Sequence, residues 1–328
     1  MADTLDAPIS AAVRPKPVLR AHLLPLGLFL AFALVPLVAH YGGEGYVLSI
    51  ITRVMILGLA ALSLDLILGF GALVSFGHAA FLGLGAYAVG ILMAHGVEEA
   101  GPQLAVAVGG SALFALVTGA ISLRTKGVYF IMITLAFGQM LYFLATSLSA
   151  YGGDDGLTLP TKSLVFGSDL LERGLVFYYL VLGCLVASYA LCRSIVASRF
   201  GRVLRGTREN PVRMQAMGFD PLHYQLGAYV IAGALCGLAG FLLANQTEFV
   251  SPAYMTWQRS GELIVMVVLG GLGTLHGAII GAAAFLILEE LLSGVTEHWK
   301  MIFGPMLVLV VLFARGGILG LARGRSRD

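Results

Sequence analysis

The side chains that could do chemistry in this sequence are few, and Asp65 is the most conspicuous of them. It lies within a long apolar run, where a charged group is unusual. If that run spans a membrane, a carboxylate near its middle costs about 2.5–3.5 kcal/mol and should face the interior of a helix bundle or water. Three interpretations stay open. Asp65 lines a polar pathway, near the ammonium group of a solute; it accepts an internal hydrogen bond between helices; or it lies nearer the membrane interface than the middle of the span.

A second group of polar residues falls in similar surroundings. His78 lies in a glycine-rich stretch with Ser75 and Phe81, and a pathway-lining role and a structural role fit it equally well. Metal binding by His78 is not expected, because no second ligand follows at helical spacing. Polar groups further along the chain have interhelical hydrogen bonding as their simpler use. The candidate pathway residues are Asp65, Ser75, His78, Phe81, Tyr129, Thr134 and Gln139.

The sequence predicts no catalytic site. It has no G-x-S-G motif, and the adjacent aspartates Asp154 and Asp155 fall in a polar connection between apolar runs. It also has no Walker A motif, because none of its lysines follows a glycine and precedes Ser or Thr. No cofactor is therefore expected on this chain, and any ATP hydrolysis is expected from partner proteins.

The elements that must position these residues are membrane-spanning helices. Of the 328 residues, 58% are hydrophobic and 12% are charged, and the mean hydropathy is +0.90. Soluble domains carry about 25% charged residues, so a soluble fold of this length would lack the polar groups to cover its surface. The predicted fold class is an all-α polytopic membrane protein.

Apolar runs and basic loops predict about ten transmembrane or half-membrane helices, with both termini in the cytoplasm. Residues 262–292 are too long for one span, and the glycines of residues 270–277 interrupt them. Two segments that turn at these glycines place the arginine-rich C-terminus in the cytoplasm, as the positive-inside rule requires. The predicted organisation is a cytoplasmic tail over residues 1–20, a transmembrane domain over 21–320 and a second cytoplasmic tail over 321–328.

Glycines interrupt two apolar segments in a similar pattern, once in each half of the chain. Paired glycine-interrupted segments point to a transport pathway. A chance match between two glycine-rich helices is the alternative. The predicted helix breaks are Gly69, Gly71, Gly77, Gly270, Gly271, Gly273 and Gly277.

Residues 195–218, called the basic loop below, contain the longest polar stretch between apolar runs. Asn210 can cap a helix, Pro211 suits its first position, and Gly218 suits the left-handed residue past its end. These signals predict a short helix of about two turns, too short to be stable alone, which docks on a partner. A basic loop that only follows the positive-inside rule is the alternative.

Three stretches resemble one family closely: LDLILGFGALVSFGHAAFLGLGAY, RENPVRMQAMGF, and SGELIVMVVLGGLGTLHGAIIGA followed by TEHW. They are similar to the membrane permeases of ATP-driven branched-chain amino-acid importers, and most similar to the LivM-type subunit. The resemblance runs over residues 47–319. It implies the fold of a type II ABC importer permease and a multi-pass location in the bacterial inner (plasma) membrane.

The same resemblance implies a heteromeric assembly. Its parts are this permease, a second related permease of the LivH type, two cytoplasmic ATPases of the LivG and LivF type that bind ATP and Mg, and an extracytoplasmic substrate-binding protein. It also implies that the basic loop docks on the ATPases. The candidate coupling residues are Arg199, Gly201, Arg202, Arg205, Arg208, Glu209, Asn210, Pro211, Arg213 and Gly218.

The function expected from the resemblance is an importer permease for branched-chain or other hydrophobic amino acids, forming half of the translocation pathway. Asp65 stands where the family often has an amide, and Ala278 where it often has proline. Related permeases move urea, short amides or other small organic solutes, and these substrates stay open. A channel or carrier that works without ATPases is the alternative from another functional class.

Overall fold

The computed structural model describes residues 18–42, 45–294, 298, 301–305, 308 and 316–322. Of the two predicted tails, residues 1–17 and 323–328 lie outside this description. The helices are α1 Val18–Gly42, α2 Gly45–Gly71, α3 His78–Ala94, α4 Ala100–Ser122, α5 Val128–Ser147, α6 Gly174–Ala197, α7 Arg199–Glu209, α8 Pro211–Ala216, α9 Pro221–Thr247, α10 Trp257–Gly270, α11 His276–Ser293 and α12 Gly317–Ala322. Short 3-10 helices lie at Ser149–Tyr151, Leu170–Glu172 and Pro252–Met255.

Within the described residues, six helices are long and apolar enough to cross a membrane: α2, α4, α5, α6, α9 and α11. α3 and the 24–37 part of α1 are shorter apolar helices. The predicted all-α polytopic class is confirmed for this part of the chain. The number of spans, expected from span length to be about ten, and the cytoplasmic placement of both termini stay predictions.

Two small structures mark opposite ends of the helix bundle. At one end, called the ribbon end, β1 Leu157–Thr158 pairs antiparallel with β2 Phe249–Val250, and Leu157 lies opposite Val250. At the other end, called the α7–α8 end, α7 and α8 connect α6 to α9. α9 joins the two ends, because it begins shortly after α8 and runs for 27 residues, or about 40 Å, to β2.

α2 forms the centre of the bundle. Every residue of its 54–71 part is buried, whereas most of its first residues are exposed or half-buried. A helix that is apolar all round is a buried helix, and α6, α9, α10 and α11 all pack on α2. Asp65 therefore lies in the core of the chain.

Glycines bring α3 and α9 into backbone contact. A Cβ atom on Gly240 would lie 1.9 Å from the carbonyl oxygen of Leu82, and one on Gly85 would lie 2.0 Å from that of Gly237. Small residues at such positions let helices in a membrane approach closely. The glycine-rich stretch around α3 is thus a regular helix over His78–Ala94, and its glycines serve packing.

The predicted interruption within residues 262–292 is confirmed. α10 ends at Gly270 and α11 begins at His276. A Cβ atom on Gly270 would lie 1.8 Å from the carbonyl oxygen of Gly277, so the two helices touch through their backbones beside the turn. The residues between them are called the α10–α11 turn below.

Replacing Gly240 with alanine should destabilise the protein, because the new methyl group would collide with backbone that cannot move aside. Overpacking of this kind costs about 1–3 kcal/mol. Thermal unfolding in detergent should show a lower midpoint for Gly240→Ala. Gly109→Ala on α4 is the matched control, because no atom lies within 4 Å of its added Cβ. Equal midpoints for the two variants would contradict the packing account.

Candidate functional site

The basic loop folds into two helices joined at a corner. Asn210 caps α8, since its Oδ1 accepts from the backbone N–H of Arg213 at 2.9 Å, and Pro211 is the first helical residue. Gly218 has φ +86°, the left-handed conformation expected of it. The predicted short helix is therefore confirmed. The preceding helix α7 was not predicted, although Ser198, whose Oγ accepts from the N–H of Gly201 at 3.5 Å, is a capping residue that the sequence displays.

Packing fixes this pair of helices to each other and to the bundle. Met214 of α8 is buried against α7, where a Cβ atom on Gly206 would lie 2.6 Å from its sulfur. Leu204 of α7 is fully buried and faces the end of α2, since a Cβ atom on Gly71 would lie 3.5 Å from it. α7 and α8 can therefore move only together with the helix ends that they contact.

The arginines of this region divide into two groups. Arg205 donates to the carbonyl oxygens of Gly201 and Val196, at 3.3 and 3.0 Å, and Arg208 donates to the carbonyl oxygen of Gly69 in α2. These two side chains bind the protein itself. Among the described residues, no hydrogen-bond or ion-pair partner is found for three other exposed arginine side chains, those of Arg199, Arg202 and Arg213. Glu209 is exposed as well, and Gly201 is buried.

Asp65 holds the α10–α11 turn. It is fully buried, and its Oδ1 accepts from the backbone N–H of Gly273 at 2.7 Å while its Oδ2 accepts from that of Leu275 at 2.9 Å. Both donors have positive φ, +71° for Gly273 and +43° for Leu275. A side chain other than glycine adopts that conformation only where its surroundings hold it. The contact of Asp65 is thus the internal hydrogen bond of the second interpretation, made to backbone.

Gly69 brings this turn and α7 together. It lies one helical turn after Asp65, and a Cβ atom on it would lie 2.2 Å from Asp65 Oδ1 and 2.4 Å from the nitrogen of Gly273. Its carbonyl oxygen accepts from Arg208, whose guanidinium also attracts the Asp65 carboxyl group electrostatically. The five residues Asp65, Gly69, Arg208, Gly273 and Leu275 are called the coupling node below. They join α2, α7 and the α10–α11 turn.

The glycines predicted as helix breaks lie within or beside two interruptions, and several of them are the last or first residues of the flanking helices. Gly69 and Gly71 lie in the last turn of α2, so the first interruption follows them, over residues 72–77, with Gly77 as the N-cap of α3. Thr134 of α5 holds this segment, since its Oγ1 accepts from the N–H of Phe76 at 3.3 Å. The second interruption is bracketed by glycines with positive φ or close backbone contacts; these are Gly270, Gly271, Gly273 and Gly277.

His78 and its neighbours are packed inside the bundle. His78 is fully buried, its Nε2 lies 2.9 Å from the hydroxyl of Ser63, and its ring meets Phe81 edge-on at 5.4 Å. Ser75 is fully buried too. Sequence reasoning missed Ser63, because a serine in an apolar helix carries no signal of its partner. Within the described residues, no group of His, Cys, Asp or Glu side chains could hold a metal ion.

The remaining pathway candidates lie on α5; Thr134 contacts the segment that leads to His78, whereas Tyr129 and Gln139 are not brought together with this group in the described structure. Tyr129 is 76% exposed and Gln139 is half-buried, whereas Thr134 is buried at the start of α3. α5 also exposes Met132, Met140 and other large apolar side chains. Such a face must be covered by lipid or by another subunit in a membrane.

Comparison with known proteins agrees with this geometry. The sequence family described as the permease component of the branched-chain amino acid transport system matches residues 46–312, which is most of the chain. The chain belongs to this family. The resemblance of the three sequence stretches and the multi-pass membrane location are thereby confirmed. No solved structure matches the chain.

Several characterised or named permeases are similar to the chain. It is 26% identical to the permease protein LivM of the high-affinity branched-chain amino acid transport system of Salmonella typhimurium, over 84% of this chain and 70% of that protein. The values for LivM of Escherichia coli are the same. The permease protein LivH of Salmonella typhimurium is 25% identical over 80% of this chain and 90% of its own length.

Substitution of Asp65 should destabilise the fold, because it leaves backbone N–H groups of the α10–α11 turn without an acceptor. Each buried unsatisfied group costs about 1–3 kcal/mol. Asp65→Asn keeps one acceptor oxygen and Asp65→Leu keeps none, so the thermal midpoint in detergent should fall further for leucine. Asp169→Asn, at an exposed aspartate whose side chain caps no helix, is the control and should leave the midpoint unchanged. Wild-type midpoints for both Asp65 variants would exclude this role.

Proposed function

We propose that this chain is the permease subunit of an ATP-binding-cassette importer for branched-chain or other hydrophobic amino acids in the inner (plasma) membrane of a bacterium. It forms half of the translocation pathway beside a second permease of the LivH type. The two permease types among its relatives support such a pair. The single observation that carries the mechanism is the coupling node, which ties the basic loop to the α10–α11 turn.

The α7–α8 end faces the cytoplasm in this proposal, and the ribbon end faces outward. The concentration of arginines in α7 and α8 supports that orientation through the positive-inside rule. The ribbon end would then meet the extracytoplasmic binding protein. ATP and Mg reside on the two cytoplasmic ATPases.

A docking surface for the ATPases lies on α8 and the residues beside it. Val212 is 70% exposed and Met217 is 56% exposed, in the same segment as the exposed Arg213, and Arg202 is exposed on the adjoining helix α7. Apolar side chains surrounded by unpaired cations are typical of a surface that another protein covers. Arg205 and Arg208 are excluded from this surface, because they bind carbonyl oxygens of the chain itself.

The coupling node converts movement of the docked helices into movement of the pathway. When the ATPases close on ATP, they carry α7 and α8 as one body. Arg208 transmits that displacement to the carbonyl end of α2, and Asp65 holds the α10–α11 turn to the same helix. Helices α10 and α11 therefore follow the movement of α7.

The docking surface is tested by co-purification of the ATPases. Placing carboxylates in its apolar part, as in the double variant Val212→Asp and Met217→Asp, should abolish retention of the ATPase subunits on the tagged permease and remove uptake. The permease should still insert, because both side chains are exposed. Phe166→Asn, which changes a 98% exposed apolar side chain between α5 and α6, is the control. Retention of the ATPases by the double variant would refute the docking surface.

The node predicts a different defect for Arg208. Arg208→Ala removes a hydrogen bond from a charged donor, and such bonds contribute about 1.5–3 kcal/mol. Uptake per ATP hydrolysed should therefore fall about tenfold or more, while the ATPases stay bound. Arg124→Gln, an exposed arginine in the α4–α5 turn at the same end, should behave as wild type. Unchanged coupling in Arg208→Ala would remove the node from the mechanism. Accumulation of leucine by vesicles that hold only this chain would favour a carrier over the importer.

A further inference from the structure

A cavity of about 410 Å³ opens between α2, α3, α9 and α10, away from the coupling node. It belongs to the ribbon end, because its α9 residues Gln246 and Thr247 directly precede β2. Its volume lies within the range of about 300–1,000 Å³ that holds small ligands. Two arginines, Arg53 and Arg259, line it together with three leucines.

Arg53 is the unusual member of this lining. It lies eight residues after the first residue of α2, about 12 Å along a helix whose other charged residue is Asp65. Its side chain is half-buried, and the described residues provide its guanidinium with no hydrogen bond and no ion pair. Glu289 of α11 interacts with it electrostatically without direct contact. An ionisable side chain at such a depth, left without a partner, marks a functional site.

Arg259, the other arginine of this cavity, has an ion-pair partner. Its Nη1 donates to Glu262 Oε2 at 2.7 Å, within α10. The cavity therefore holds one cation with a direct ion-pair partner and one cation, Arg53, that makes no direct ion pair with the described residues and has Glu289 only at a distance. A single carboxylate would complete it, because guanidinium groups bind carboxylates through paired hydrogen bonds.

Gln246 carries a hydrogen-bond acceptor beside the donor groups of Arg53. Its Nε2 donates to the carbonyl oxygen of Ser49 at 2.8 Å, which fixes the amide plane. Its Oε1 is buried and accepts no hydrogen bond from the described residues. Ser49 lies one helical turn before Arg53 on the same face of α2, so Gln246 is held next to the arginine. Oε1 thus lacks a hydrogen-bond donor, which an ammonium group would supply.

The apolar part of the lining begins one turn deeper. Leu57 follows Arg53 by one helical turn on α2, Leu243 precedes Gln246 by one turn on α9, and Leu82 comes from α3. The cavity therefore has polar groups of both signs near the ribbon end and aliphatic walls below them. This arrangement matches a zwitterion with a branched aliphatic side chain.

We propose that this cavity is a binding site for a small aliphatic α-amino acid within the single permease chain. Arg53 binds the carboxylate, Gln246 Oε1 accepts from the ammonium group, and the leucines surround the side chain. The proposal rests on the proposed function for the class of solute. It adds a site whose lining comes from one permease chain.

Binding of tritiated L-leucine to the purified full chain in phosphatidylcholine nanodiscs tests this site. The wild type should bind saturably, and isocaproate, which lacks the ammonium group, should compete whereas isopentylamine, which lacks the carboxylate, should not. Arg53→Gln should weaken leucine binding at least tenfold, and Arg53→Lys should weaken it less. Arg173→Gln, an exposed arginine at the start of α6, is the matched control and should bind as wild type.

The variant Gln246→Leu distinguishes loss of ammonium recognition from general damage to the fold. It should weaken binding of L-leucine but leave competition by isocaproate unchanged, because isocaproate has no ammonium group to lose. A merely structural role of Gln246 would weaken both ligands alike and would overturn its assignment. All variants should elute as monodisperse protein, and Arg53→Lys provides the folded comparison if Arg53→Gln does not.

Other outcomes would overturn the site. Absence of saturable leucine binding by the wild type would refute it, and so would wild-type affinity in Arg53→Gln. Displacement of leucine by inorganic phosphate as effective as that by isocaproate would instead indicate a general anion site, such as one for lipid headgroups. This assay needs no ATPase, so its failure is distinguishable from failure of the importer proposal, which is read from ATPase co-purification and uptake.

Discussion

The structure depends on one buried carboxylate, which accepts hydrogen bonds from backbone N–H groups far from it in sequence. Asp65 lies in the fully buried part of α2 and binds the N–H groups of Gly273 and Leu275, more than 200 residues later. The α10–α11 turn places these backbone donors against a fully buried side chain, where unsatisfied groups are expensive. The carboxylate satisfies two of them at once and fixes two residues with positive φ.

In the proposed mechanism, this arrangement lets the basic loop act at a distance. Arg208 donates to the carbonyl oxygen of Gly69 in the last turn of α2, and the missing side chain of Gly69 lets the α10–α11 turn approach Asp65. The end of α2, the α10–α11 turn and the amphipathic helix α7 therefore lie in direct contact. The exposed arginines beside them remain available to a partner, whereas Arg205 and Arg208 do not.

The two charged side chains of α2 differ in whether the described chain provides them with a hydrogen-bond partner. Asp65 is satisfied by backbone donors within the described chain, and it is structural. Arg53, three helical turns earlier, has no such partner in the described residues and lines a cavity. Charge in an apolar helix thus indicates a special position without telling whether the partner is protein or ligand.

The sequence by itself determined the class of fold, the interruption near Gly270, the capped helix at Asn210 and the family. These features follow from composition, glycine and proline chemistry and contiguous motifs, which act over a few residues. The tertiary structure alone decided the partners of Asp65 and Arg208, the role of Ser63 and the cavity at Arg53. Each of these depends on contacts between helices distant in sequence, and residue types in one apolar helix do not specify which backbone or side chain will lie against them.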